Sequence, residues 1–264
     1  MNMIFKIAAF AFITIIAPFA GMLFKGLKPF YEIKRLIAVK KFTLGGFESF
    51  FSGMQLIFCV AAFVMIILGQ AMLLIIFISV CSDVFAAAAL MHAENASGPF
   101  KGLELLFRTA AYAPIYILFA YSCKVASGTF MISNIALNPP ISMIPAVFAA
   151  FLMASAFKRG LCVSGKNEFS GELYPIAGPL SPSSKIFFIV AKQFETVIIL
   201  MLCFVVWPDP AYISIPASCI VLAATDAAGR FIRQVSLSGF IKFFWSAAFI
   251  LCFGNIFILM LGKI

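Results

Sequence analysis

The charged residues of this chain fall into short stretches separated by long apolar runs, and that segregation limits the fold more than any other feature. A hydrocarbon core of ~30 Å takes ~20 residues of helix to cross, and several of the runs reach that length. In lipid every backbone N–H and C=O must pair within the protein, which leaves helices or a closed barrel. A barrel would show strands of alternating polarity, ~10 residues each, and the runs here do not alternate. Composition agrees: 64% of the 264 residues are hydrophobic and only 11% charged, against about 25% charged in soluble domains.

These features predict an all-α integral membrane protein of about eight transmembrane helices, with an amphipathic helix after the first. The spans fall near 3–23, 53–69, 71–91, 107–131, 139–157, 186–207, 211–228 and 241–262. The first run lacks the charged start and small-residue cleavage pattern of a signal peptide, so it reads as a span. The boundary between the second and third is the narrowest, because only Gly69-Gln70 interrupts the apolar sequence. No soluble domain fits between the spans, and residues 1–264 form a single membrane domain.

Basic residues set the orientation. The loops at about 24–52, 92–106, 158–185 and 229–240, with their flanks, hold fifteen of the nineteen Lys and Arg, among them Lys25, Lys101, Lys158, Arg159, Lys185 and Arg230. The alternate connections, at Gly69-Gln70, 134–140 and 207–210, hold none. The expected location is therefore the cytoplasmic (inner) membrane, with basic loops inside and both termini on the non-cytoplasmic side. A net charge of +9 follows from this bias and from contact with anionic lipid. No basic-aromatic module for nucleic acid is present.

Charges inside spans are costly, about 2.5–3.5 kcal/mol each on insertion scales, and tend to mark function. Asp83, Lys124, Lys192 and Glu195 stand out, and Lys192 and Glu195 lie three apart on one helical face. Asp226, with Arg230 and Arg233, fits an interfacial position with snorkelling side chains. In the first loop, Phe30, Ile33, Leu36 and Ile37 share one face of a basic helix, a pattern for the membrane surface or a docked partner. The loop at 158–185 is rich in Gly, Pro and Ser and carries Glu168 and Glu172, which makes it a second candidate contact surface. The seven cysteines are scattered without a C-x-x-C and read as buried apolar residues, and His92 reads as an interfacial cap.

Three stretches resemble the membrane subunit shared by respiratory complex I (the subunit 1 family) and the energy-converting nickel–iron hydrogenases, including formate hydrogenlyase. KPFYEIKRL at 28–36 is similar to the family's Q-P-x-x-D-x-x-K-L, with Glu32 and Arg35 at its charged positions. SGPFKGLELLFR at 97–108 is similar to the hydrogenase branch's S-P-F-x-G-L-x-x-S-R-E, and RFIRQ at 230–234 to the basic segment before the last helix. SAFKRGLC stands in place of the family's E-x-N-R-x-P-F-D, and Ala113 stands where a glutamate often precedes the proline.

The resemblance implies a membrane anchor and ion-coupling subunit of a complex-I-like hydrogenase that is itself without cofactor. Iron–sulfur clusters and the nickel–iron centre would lie in partner subunits. Those partners would be hydrogenase-like large and small subunits, an iron–sulfur subunit and an antiporter-like membrane subunit. It assigns docking to Glu32 and Arg35, and charge coupling to Asp83, Glu104, Arg108, Glu168, Glu172, Lys192 and Glu195. The alternative is a Yip-type trafficking or scaffold protein without a redox role, suggested by Phe107, Arg108, Tyr112 and Pro114. A phosphatidyltransferase reading of DAAGR at 226–230 lacks the further aspartates that would hold divalent ions. A transporter would be expected to show repeats or broken helices.

Overall fold

The computed structural model describes residues 33–34, 36–37, 46–137, 140–160, 175–207, 216–217, 220–221, 223–224 and 237–261. Among the described residues the architecture is all-helical, with one isolated β-bridge between Ala71 and Met131. The helices are α1 (Phe47–Ile67), α2 (Met72–Met91), α3 (Gly98–Ser127), the single turn α4 (Ile132–Ile135), α5 (Pro145–Gly160), α6 (Pro182–Val206), α7 (Leu237–Phe243) and α8 (Phe249–Leu261). A π-helical turn, Phe244–Ala248, joins the last two. Four helices, α1, α2, α3 and α6, are long and apolar enough to cross a membrane.

The expected spans at 3–23 and, for the most part, 211–228 lie outside the described residues. Elsewhere helix ends differ from the expected boundaries. Residues 98–106, expected in a loop, are the first turns of α3, because Pro99 suits a helix start and no breaker follows until Pro114. For the same reason Pro182 opens α6 four residues before the expected boundary. Helix α5 runs on to Gly160, so Lys158 sits in its last turn instead of in a loop.

Gly69-Gln70 does suffice as a turn. Gly69 adopts φ 67°, its N–H donates to Ile66 O at 2.9 Å, and Gln70 N–H donates to Met65 O at 3.0 Å. This is a Schellman ending, which satisfies the last carbonyls of α1 and reverses the chain into α2. A Cβ at Gly69 would also stand 3.1 Å from Ser133 Cβ.

Helices α1 and α2 form an antiparallel hairpin, α3 packs on α2, α6 on α1, and α5 and α8 on α3. Close approach of α2 and α3 depends on small residues: a Cβ at Gly102 would lie 2.7 Å from Ala87 O. The core is aromatic around Tyr116, Phe119 and Phe151, and the Phe119 and Phe151 rings stack at 4.2 Å between centroids. Ile33 and Leu36 of the basic first loop have helical backbone and pack against a second cluster formed by Ala86, Leu90, Leu105 and Phe188. Ile37, expected on the same face, is 63% exposed.

Candidate functional site: a buried ion quartet

Three helices deliver charged side chains to one point in the bundle, and two more add hydrogen-bonding groups. Asp83 comes from α2, Lys158 from α5, and Lys192 and Glu195 from successive turns of α6. Lys158 Nζ lies 2.5 Å from Asp83 Oδ2 and 3.5 Å from Glu195 Oε2. Lys192 Nζ lies 3.2 Å from Asp83 Oδ1 and donates to both Glu195 oxygens at 2.8 Å. Each ammonium thus faces both carboxylates, and the four formal charges cancel. None of the four residues is more than 5% exposed.

Helix periodicity explains why the α6 pair faces inward together, since residues three apart share a face. Around the quartet sits a shell of neutral polar groups. Tyr112 of α3 donates its hydroxyl hydrogen to Asp83 Oδ2 and lies 3.2 Å from Thr109 Oγ1. Tyr116 hydroxyl meets Ser155 Oγ at 3.1 Å. Cys59 Sγ of α1 lies 2.9 Å from Ser82 Oγ and 3.9 Å from Glu195 Oε1, and Ser82 hydroxyl donates to Gln55 O at 3.1 Å. Beside the quartet is a cavity about the size of one water molecule, where Ser79, Tyr116, Lys158 and Glu195 face a wall of isoleucine, leucine and phenylalanine.

Of the residues expected to couple charge, Asp83, Lys192 and Glu195 are brought together here. Glu104 and Arg108 pair with each other on α3, one turn apart and partly exposed. Lys124, expected inside a span with the others, is exposed near the C-terminal end of α3, with Nζ 4.9 Å from the Phe130 ring centre. A cation suits that position because the last carbonyls of a helix carry partial negative charge. His92 follows the last residue of α2, and its Nδ1–H donates to Ala88 O at 2.9 Å, the capping expected of it. Glu32, Arg35, Glu168 and Glu172 lie outside the described residues, as do Asp226, Arg230 and Arg233.

The sequence reading missed Lys158, which it counted with Arg159 as a loop cation. A signal was present, because Ser155 and Lys158 are three apart on the helical face that meets Tyr116 and Asp83. Glu48 was missed as well. Its Oε1 accepts from Ser181 N–H at 2.7 Å and from Ser181 hydroxyl at 2.8 Å, so α1 caps the start of α6.

Chemically the quartet is a balanced set of two proton acceptors and two donors, held in low dielectric on three helices. It can store or relay a proton by exchanging partners within hydrogen-bond distance. Among the described residues no three His, Cys, Asp or Glu side chains are grouped to hold a metal ion. The chain matches no protein-family model and no curated protein sequence.

Proposed function

We propose that this chain is a multi-pass protein of the cytoplasmic membrane, the anchor and charge-coupling subunit of a complex-I-like energy-converting hydrogenase. Membrane residence is supported by four helices of spanning length and by the large apolar side chains that α1, α2 and α3 turn outward. Ile57, Phe77, Phe107 and Ile117 are 59%, 63%, 57% and 49% exposed. Soluble monomers rarely expose contiguous apolar surface of this kind. Eight spans, basic loops inside and both termini outside complete the proposed topology.

The observation that carries the coupling role is the quartet. Ionisable groups within membrane helices are expensive and tend to mark ion or proton pathways, and three separate helices contribute to this one. In the proposed complex, docking falls to the basic first loop around Glu32 and Arg35, and the acidic loop with Glu168 and Glu172 faces the same partners. Iron–sulfur and nickel–iron centres reside in those partners, and electron transfer there shifts the charge balance that the quartet feels.

Purification of the tagged chain in mild detergent, with mass spectrometry of what accompanies it, tests the assignment. A cysteine-rich iron–sulfur subunit and a hydrogenase-like large subunit are the expected companions. A chain that purifies alone refutes the subunit role. The Yip-type scaffold reading is favoured by one observation, the cancellation of charge within the quartet, which makes it self-sufficient as a structural staple. Under that reading, trafficking proteins co-purify and Glu195→Gln leaves every transport activity of the host membrane unchanged.

A further inference from the structure

The buried face of α1 changes character half-way along. Its buried residues, in order, are Ser49, Ser52, Gln55, Cys59, Ala62 and Ile66. The first four are polar or carry a thiol, and the change to purely apolar side chains comes at Cys59, where α1 meets the quartet. Helix α6 changes at the same level. Its buried residues begin with Ser183, Ser184 and Lys185, pass the apolar Phe188, Ile189 and Ala191, reach Lys192, Gln193, Glu195 and Thr196, and from Val197 to Val206 include only apolar or sulfur-bearing side chains. Ser49 Oγ and Ser184 Oγ stand 3.4 Å apart, so the two polar stretches face each other at the end of the bundle.

Two residues in this file are unpartnered. Ser52 and Gln55 are both 0% exposed, and Ser52 Oγ, Gln55 Nε2 and Gln55 Oε1 find no hydrogen-bond partner among the described residues. Leaving such groups unsatisfied is costly, and buried polar atoms without a protein partner are normally satisfied by ordered water. An amide at this depth has no packing advantage over leucine.

We infer that Ser49, Ser52, Gln55 and Cys59 line a file of water molecules that joins the ion quartet to one face of the membrane only. That face is the one bearing Glu48, Ser181 and Lys101. From Glu48 to Cys59 the file descends ~16 Å at 1.5 Å per residue. Beyond Cys59, Ala62 and Ile66 on α1 and the valine, isoleucine and leucine side chains on α6 give no polar lining past the one-water cavity that Ser79, Lys158 and Glu195 share with Ile198 and Leu202. Protons therefore reach Glu195 from the basic face through the file, past the Cys59 thiol. The opposite face has no equivalent route along α1 and α6. This inference rests on the membrane and charge-coupling reading and gives that site its direction of access.

Silver ion, a small thiol-reactive cation, tests the file in sealed vesicles holding the full chain with Cys59 as its sole cysteine. After exposure from one side, the protein is unfolded and the remaining thiol is counted by maleimide gel shift. Lys101→Cys and Leu137→Cys, each in a cysteine-free chain, mark the two faces and report orientation independently. Silver supplied at the Lys101 face should block Cys59 at least about tenfold faster than silver at the Leu137 face, the factor one unmade hydrogen bond would give. Ser52→Ala should preserve that asymmetry, whereas Gln55→Leu should slow blocking from the Lys101 face to the rate at the other. Equal rates from both faces, with the markers correctly oriented, overturn the file; so does a Gln55→Leu chain as accessible as its parent. Neither result depends on which proteins co-purify, so the file and the subunit assignment stand or fall separately.

Discussion

Two ammonium groups and a phenol converge on the carboxylate of Asp83, which is 0% exposed. A buried ion pair adds little net stability over an apolar replacement, but removing one partner strands the other charge at about 3–5 kcal/mol. Asp83→Leu and Lys158→Met should therefore each lower the unfolding midpoint in detergent sharply. The double variant Asp83→Leu with Lys158→Met should cost less than the two singles added together, because Lys192 and Glu195 still neutralise each other. A fully additive cycle would show that the quartet is not a coupled unit. Tyr112→Phe removes the hydrogen bond to Asp83 and the weaker contact with Thr109 Oγ1, and a smaller loss of about 1.5–3 kcal/mol is expected for a bond to a charged group.

Helix ends and helix contacts carry the next set of expectations. Gly69 reverses the chain in a left-handed conformation against Ser133, so Gly69→Ala should cost about 1–2 kcal/mol from backbone strain alone, read as a lower midpoint of thermal unfolding. Gly102 lets α3 approach the backbone of α2, and Gly102→Leu should separate the two helices and with them Tyr112 from Asp83. The accompanying loss of coupling is measurable as additivity between Gly102→Leu and Tyr112→Phe. Glu48 supplies from α1 what an N-cap side chain usually supplies from its own helix. Glu48→Ala should cost about 1–2 kcal/mol, while Glu48→Gln, which keeps an acceptor oxygen, should cost less.

The helices were legible in the sequence because length and apolarity alone decide them, and the Gly69-Gln70 turn because only glycine reverses a chain so tightly. Where helices end was less legible. Pro99 and Pro182 fell in stretches expected as loops, yet proline is well tolerated in a first turn, and the starts of α3 and α6 lie there. The site was half legible. Asp83, Lys192 and Glu195 announced themselves by interrupting apolar runs, whereas Lys158 sat beside Arg159 and Gly160 and passed for a loop residue. Lys124 interrupts a run too, yet it lies near a helix end where it reaches the surface, so interruption alone does not separate buried from exposed charge. Gln55 and Ser52 gave no signal, because uncharged polar residues are common in spans.

For the whole bundle, single cysteines introduced at the two ends should be labelled by a membrane-impermeant maleimide from opposite sides. Lys101, in the first turn of α3, and Leu137, beyond its other end, provide that pair. Labelling of both from one side would overturn the membrane-spanning arrangement.

The quartet also imposes an order on synthesis. Lys192 follows Asp83 by 109 residues, which at ~5–20 residues per second separates them by roughly 5–20 s on the ribosome. Until Lys158 is made, about two-thirds of the way through that interval, α2 holds its carboxylate without either ammonium. Its other residues are apolar or small, and they offset an insertion cost of about 2.5–3.5 kcal/mol for the lone aspartate. On the proposed membrane reading, the α1–α2 hairpin enters the bilayer early and waits there, open to premature capture by quality-control proteases, until the last turn of α5 and then α6 arrive to close the charge.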